Sequence, residues 1–306
     1  MSLALLFPGQ GTQHPEMLRW LADEPAAAPT LAQLAGMLGA DWRARLADPA
    51  WAGANETAQC LLTGLGVAAW QCLAPELPAP AIVAGYSVGE LPAFCAAGVF
   101  DARTALSLAR RRAQAMQASV AGLDTGLLAV QGLGPAALQA LAARHGLALA
   151  IRLGPDRAVL GGPAEALTAA QPGLEAAGGH CTRLAVAIAS HTPWMAAAAE
   201  AFARHLAERP FAAPRCAVVT DFGGTVRRRP DELKQALAAQ IAHPVHWDRC
   251  CDVIAEHRVR CVLEMGPGST LARLWHEREP AVPARSIDEF RSAAAVLRWV
   301  RGALAA

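Results

Sequence analysis

The segment Gly85-Tyr86-Ser87-Val88-Gly89 constrains this chain more than any other. It follows the apolar run Ala81-Ile82-Val83-Ala84 and precedes Glu90-Leu91-Pro92-Ala93-Phe94-Cys95-Ala96-Ala97, which reads as a helix. A strand, a sharp turn bearing a serine and a helix form the setting of a nucleophile elbow. Glycines on both sides of the serine remove the Cβ atoms that would block so tight a turn. The serine then projects at a helix N-terminus, where backbone N–H groups and the helix dipole favour a developing oxyanion. The alternative is an ordinary serine in a glycine-containing turn. The flanking strand and helix favour the nucleophile.

The rest of the chain supports an α/β architecture around that elbow. Leu3 to Phe7 reads as a first buried strand, ended by Pro8-Gly9. Residues from Glu16 to about Trp51 read as mostly helical, broken by prolines. Ala58 to Leu73 reads as a helix whose Gly64 and Gly66 mark close packing. Ala102 to Ala121 reads as a long helix, with Leu106, Ala109, Ala113 and Met116 at helical spacing. From Gly122 to Ala187 the order is strand, helix, two strands, helix, strand, ending on a strand over Cys181 to Ala187. That is the ferredoxin-like arrangement. Helices over 192–208, 231–242, 247–257 and 290–304 then alternate with strands over 216–220 and 261–265. Such alternation predicts a mostly parallel sheet covered on both faces. The expected fold is an α/β-hydrolase-like core of residues 1–122 and 188–306, with a ferredoxin-like subdomain inserted at 123–187.

Composition narrows the function. Of 306 residues, 54% are hydrophobic and 17% charged, which suits a compact fold rather than a disordered chain. The formal net charge of +1 argues for neither nucleic acid nor an acidic membrane as partner. Arg110-Arg111-Arg112 and Arg227-Arg228-Arg229 remain as local basic clusters, the second read as solvated. Eight cysteines without a CxxC pair read as buried thiols in a reducing compartment. No basic leader precedes Leu3, and no apolar run is long enough to span a bilayer, so a cytoplasmic protein is expected.

A serine hydroxyl needs a base. Of nine histidines, His191 in Ala189-Ser190-His191-Thr192-Pro193 sits where a strand exits and a helix begins, a usual place for catalytic side chains. His243 and His246 flank Pro244 and could also approach a site, whereas His14, His205 and His276 read as structural. Spacing alone leaves the base open. No metal-ligand cluster or phosphate-binding glycine loop is visible.

Four segments occur in order: Phe7-Pro8-Gly9-Gln10-Gly11-Thr12-Gln13, Gly85-Tyr86-Ser87-Val88-Gly89-Glu90, Ser190-His191 and Glu264-Met265-Gly266-Pro267-Gly268. Together they resemble the malonyl-CoA:acyl-carrier-protein transacylases and the acyltransferase domains of polyketide and fatty acid synthases. Ala58-Gln59-Cys60-Leu61-Leu62 resembles a further family segment. The resemblance covers essentially the whole chain. It implies a Ser-His dyad, with Ser87 acylated and His191 as general base. Gln10 and Val88 match the residues whose backbone N–H groups form the oxyanion hole. Arg112 matches the arginine that grips the free malonyl carboxylate, and Tyr86, Met116, Ser190 and His246 fall at substrate-binding positions. A guanidinium can offer two parallel hydrogen bonds to a carboxylate, which lysine cannot.

Some positions depart from the commoner pattern. Tyr86 stands where fatty-acid-synthesis enzymes usually have histidine, and His246 where they often have glutamine. The resemblance puts the backbone carbonyl that orients the catalytic histidine near His246. Leu153-Gly154-Pro155 replaces an Asn-Ser-Pro segment. The Gly-Tyr-Ser-Val-Gly-Glu and Ser-His-Thr-Pro segments look more like the malonyl transferase that accompanies malonate decarboxylase, its epsilon subunit. The expected reaction is ping-pong transfer of malonyl from malonyl-CoA to the prosthetic thiol of an acyl carrier protein, with no bound cofactor. Expected partners are the carrier and, in the decarboxylase setting, its other subunits. The alternatives are a malonyl transferase of fatty acid or polyketide synthesis, a serine esterase, and a non-catalytic carrier-binding scaffold. An esterase of the α/β-hydrolase type would place its acid between serine and histidine, where Asp124 and Asp156 read as turn residues.

Overall fold

The computed structural model describes residues 2–305. Eleven strands lie among them: β1 (Leu3–Phe7), β2 (Ile82–Gly85), β3 (Thr125–Gln131), β4 (Ala148–Arg152), β5 (Arg157–Pro163), β6 (His180–Arg183), β7 (Ala217–Thr220), β8 (Thr225–Arg227), β9 (Val245–His246), β10 (Cys261–Glu264) and β11 (Ala284–Ser286). The larger sheet has the order β11-β10-β1-β2-β7-β8. Its first five strands run parallel, and β8 closes the edge antiparallel to β7. β1, β2, β7 and β10 are buried along their whole length. Both faces are therefore covered, and continuous apolar runs rather than alternation are what such strands require. Leu3, Leu5 and Phe7 pack into one hydrophobic cluster, Ala4 and Leu6 into a second.

The smaller sheet has the order β6-β3-β5-β4-β9. β3 through β6 follow the ferredoxin-like order and pair antiparallel. β9 comes from the later part of the chain and pairs parallel to β4, with Arg152 opposite His246. A strand of two residues, too short to carry a sequence pattern, thus brings the later part of the chain onto the smaller sheet, and Val245 also bridges to Phe222 just past β7. β6 ends at Arg183, not at Ala187 as the sequence suggests. Residues 184–190 form no strand and lead the chain back toward the elbow.

Two helices matter for the site. Asn55–Leu73 crosses the core almost fully buried, and a Cβ at its Gly66 would press on Pro92 and the Met265 carbonyl. Ala102–Ser119 begins at Asp101, whose carboxylate accepts the Thr104 N–H at 2.8 Å. Its buried stripe of Ala105, Ala109, Arg112, Ala113 and Met116 includes one charged residue. No described helix is long and apolar enough to cross a membrane.

Candidate active site

The elbow is built as its glycines demand. β2 stops at Gly85, the Tyr86 N–H still donates to Phe7 O at 2.8 Å, and the chain turns at Ser87 with φ of +57°. A left-handed non-glycine residue costs on the order of 1–3 kcal/mol and persists only where its surroundings hold it. A Cβ on Gly85 would lie 2.1 Å from Glu90 N, and one on Gly89 would lie 2.1 Å from Phe7 O. Neither position has room for alanine. Val88, fully buried, follows Ser87 in a short turn that leads into the helix Glu90–Ala96.

His191 is brought to the serine by the loop after Ala189, and it too has positive φ, +63°. Ser190 is buried beside it, its N–H bonded to Ile188 O at 2.7 Å. His191 Nε2 lies 2.8 Å from Ser87 Oγ. His191 Nδ1 lies 2.5 Å from the backbone carbonyl of Gln240. That contact requires Nδ1 to carry the proton and leaves Nε2 as the acceptor for the serine hydroxyl. The orienting carbonyl belongs to Gln240, six residues before His246. His246 donates its backbone N–H to Asp221 O at 3.2 Å, and its ring bonds to none of Ser87, His191 or Arg112. Burial first, then the positive charge of Arg112, push the His191 pKa down to about 3, against the opposing pull of the Gln240 carbonyl. The imidazole is therefore neutral at physiological pH.

Arg112 is fully buried and reaches the nucleophile. Its Nη2 donates to Ser87 Oγ at 3.2 Å and to Gln240 Oε1 at 3.1 Å, and its Nη1 donates to Gln59 Oε1 at 2.8 Å. Its Nε has no partner. Among the described residues no carboxylate stands within ion-pair distance of it. Burial lowers its pKa to about 10, opposed by the more distant Glu90 and Asp221, so the cation persists. Gln59 is fixed from behind, donating to Asn55 Oδ1 at 2.8 Å and to Met116 Sδ at 3.4 Å. Met116 thus lies one turn beyond Arg112, behind the amide that holds it.

Tyr86 packs edge-on to Trp247, with ring centroids 5.2 Å apart, and its ring covers Gly9. Gln10 sits three residues beyond β1, on the loop packed against the elbow. That loop is pinned on its other side. Gly266 faces Pro8 so closely that a Cβ would lie 2.4 Å from its ring, and Asp288 accepts from Gly268 N, Leu18 N and His14 Nε2 at 2.7, 2.8 and 2.6 Å. No described cluster of His, Cys, Asp or Glu is arranged to hold a metal ion. A groove of about 350 Å³ beside the helix Pro135–Arg144, lined by Leu138, Leu149 and Arg157, contains none of these side chains.

Sequence reasoning missed Gln240, Asn55, Gln59, Glu90 and Asp221 as parts of this site. Glu90 and Gln59 lay inside quoted segments without a role. Asp221 had one usable signal: it directly follows a predicted strand, at the end where ligands gather in parallel sheets.

A half-buried serine bonded to a buried histidine, beside a buried arginine on this α/β frame, is an arrangement suited to acyl transfer. The family described as "Acyl transferase domain" matches residues 4–302, and the chain belongs to it. It is similar to the malonyl CoA-acyl carrier protein transacylase of Escherichia coli K12, at 32% identity over 310 residues, covering 96% of this chain and 98% of that protein. Among solved structures it resembles the acyl-carrier-protein S-malonyltransferase of Burkholderia pseudomallei, with a TM-score of 0.89 and 30% identity over 97% of this chain and all of that one. It also resembles PlMCAT, a malonyl-transacylase solved in complex with the type II polyketide carrier AntF, with a TM-score of 0.90 and 28% identity over 97% and 99%.

Buried carboxyls give the fold a pH signature. Glu264, at the end of β10, accepts the Ala272 N–H at 2.8 Å and is pushed by burial to about 8. In the unfolded chain it ionises near the ordinary 4.5. Between those values the folded state holds a proton the unfolded state has lost, so stability falls as pH rises and the full penalty is reached above 8. His191 works in the opposite sense, but only between about 3 and 6.5. The window from 6.5 to 8 therefore belongs to the carboxyls, and the buried thiols, raised from 9.0, add to the loss only above it. From pH 6.5 to 8 at fixed ionic strength, Tm is expected to drop by roughly 5 °C. Glu264→Gln keeps the acceptor oxygen and is expected to remove about half of that slope in thermal melts, the rest staying with Asp221 and Glu90.

Proposed function

We propose that the chain moves a malonyl group from malonyl-CoA to the prosthetic thiol of an acyl carrier protein through a malonyl ester on Ser87. The observation that carries this reading is Arg112, a buried cation that touches Ser87 Oγ and has only neutral partners. An unpaired buried charge is costly, so its counter-ion is expected to arrive with the substrate, one acyl chain's length from the serine. Malonyl meets that requirement and acetyl does not.

In the first half-reaction His191 Nε2 takes the Ser87 proton as Oγ attacks the thioester carbonyl. The oxyanion is held by the N–H groups of Gln10 and Val88. The tetrahedral adduct collapses, the C–S bond breaks, and His191 returns the proton to the CoA thiolate. In the second half-reaction the carrier thiol gives its proton to His191 and attacks the Ser87 ester. Collapse then frees the serine, which recovers the proton. No metal or redox step enters.

The similar proteins named above act on carriers in their own names, one of them in polyketide synthesis. They favour a fatty acid or polyketide setting over the malonate decarboxylase setting suggested by the elbow and Ser190-His191 segments. The esterase reading is disfavoured because an esterase has no use for Arg112.

Intact-mass measurement after brief exposure to malonyl-CoA or acetyl-CoA tests the proposal. A single malonyl adduct is expected, mapped to Ser87 by peptide fragmentation and discharged by a holo carrier protein, with little acetyl adduct. Equal loading by both donors, or no adduct on folded protein at short times, would sink it.

A further inference from the structure

The Ser87 backbone N–H makes an elbow contact that the glycines do not explain. β2 pairs with β7 through Ala84 and Val219, so the residues just past both strands stay side by side as β2 turns away. There the Ser87 N–H donates to Asp221 Oδ2. Asp221 is fully buried and fixed on both sides of its own backbone. Its N–H donates to Glu90 Oε1 at 2.8 Å, and its carbonyl accepts from His246 N at 3.2 Å. Glu90, also fully buried, starts the helix that leaves the elbow. A closed circuit therefore runs from Ser87 to Asp221, to Glu90, and back along the chain to Ser87.

We propose that Asp221 is a positioning residue for the nucleophile: its carboxyl oxygen takes the Ser87 N–H and keeps the left-handed turn that points Oγ between His191 and Arg112, while Glu90 holds Asp221 in place. The proposal rests on Ser87 being the acylated residue. A strained backbone survives only where its surroundings over-determine it, and this circuit supplies that determination from a distant part of the chain. A buried N–H also needs an acceptor, and no other is on hand for Ser87. The remaining oxygens, Glu90 Oε2 and Asp221 Oδ1, are buried without partners. Burial and mutual repulsion raise the pKa of Glu90, and burial raises that of Asp221. A neutral acceptor at 221 can therefore do the same work as the carboxyl, which separates the hydrogen bond from the charge.

The test compares Asp221→Ala with Asp221→Asn. Loss of the acceptor is expected to lower kcat for malonyl transfer by about 10- to 100-fold, the scale of a small misplacement of reacting atoms. KM for malonyl-CoA is expected to stay within about threefold, because Arg112 is untouched. Asparagine keeps an acceptor oxygen and is expected to restore kcat to within about fivefold of wild type. An alanine variant with wild-type kcat would overturn the proposal. So would an asparagine variant as impaired as alanine, since charge rather than the bond would then be what matters. Amide hydrogen exchange on the unaltered protein gives a second reading if alanine does not fold. The Ser87 amide is expected to be as protected as those of β2, and loop-like exchange would refute the bond. Malonylation of wild-type Ser87 in the same preparation keeps failure of this proposal distinct from failure of the transferase reading.

Discussion

His191→Ala is expected to slow malonylation of Ser87 by about 10⁴-fold or more, the range seen when the base of a serine catalyst is removed. Geometry sets this size. Nε2 is 2.8 Å from Oγ, and the Gln240 carbonyl fixes the tautomer at 2.5 Å on the other nitrogen. No other base touches that hydroxyl; its second contact is the Arg112 guanidinium, which has no lone pair to offer. The pH profile should also be unusual. An ordinary histidine base gives an acid limb near 6.5. Here desolvation and the Arg112 charge hold the free imidazole neutral down to about 3. kcat/KM for malonyl-CoA is therefore expected to be flat from pH 5.5 to 7.5, with no limb at 6.5. A limb there would mean that solvent reaches the imidazole and that its burial beside Arg112 does not describe the working enzyme. The malonyl carboxylate adds a second effect. By pairing with Arg112 it cancels the charge that most opposes an imidazolium, so the donor makes its own base stronger once bound.

What the sequence disclosed divides by range. The elbow is local: glycines, serine, strand and helix fall within seventeen residues, and each constrains the next. The stripe on the helix Ala102–Ser119 was visible through its apolar members, and Arg112 falls on it between Ala109 and Ala113. Only the family resemblance distinguished it from its neighbours in the arginine triplet, because burial is a property of the partner surface. Gln240 could not be foreseen by side-chain chemistry, since what orients His191 is its backbone carbonyl. Asp221 is 134 residues from the amide it receives, and the link exists only because β7 happens to pair with β2. Short edge strands were lost for a related reason. β8, β9 and β11 have three, two and three residues, too few for any period to show, and they are ordered by the strands they join.

Arg112→Met is expected to lower malonyl loading by about 10²- to 10³-fold while leaving acetyl loading within a few-fold, so that selectivity between the two donors largely disappears. A carboxylate buried without its cation loses on the order of 3–5 kcal/mol, and each 1.36 kcal/mol is tenfold in rate. Acetyl has no carboxylate to lose. Lysine in the same place cannot form the two-pronged contact and is expected to recover only part of the malonyl rate. Stability should move differently. In the empty site Arg112 is a desolvated charge without an acidic partner, held by three bonds to neutral oxygens and with Nε unbonded. Methionine removes that penalty at similar length but leaves the amide oxygens of Gln59 and Gln240 without their donor. These effects oppose each other at about the same scale, so Tm is expected to change by no more than about 3 °C. Donor competition read by intact mass, beside a thermal melt, checks both halves. A large fall in Tm would show that the arginine is structural and that its proximity to Ser87 is incidental. Lost selectivity in a protein of unchanged stability would mean that the fold tolerates this charge chiefly for the substrate that neutralises it, which is how a site can reject acetyl without any steric device.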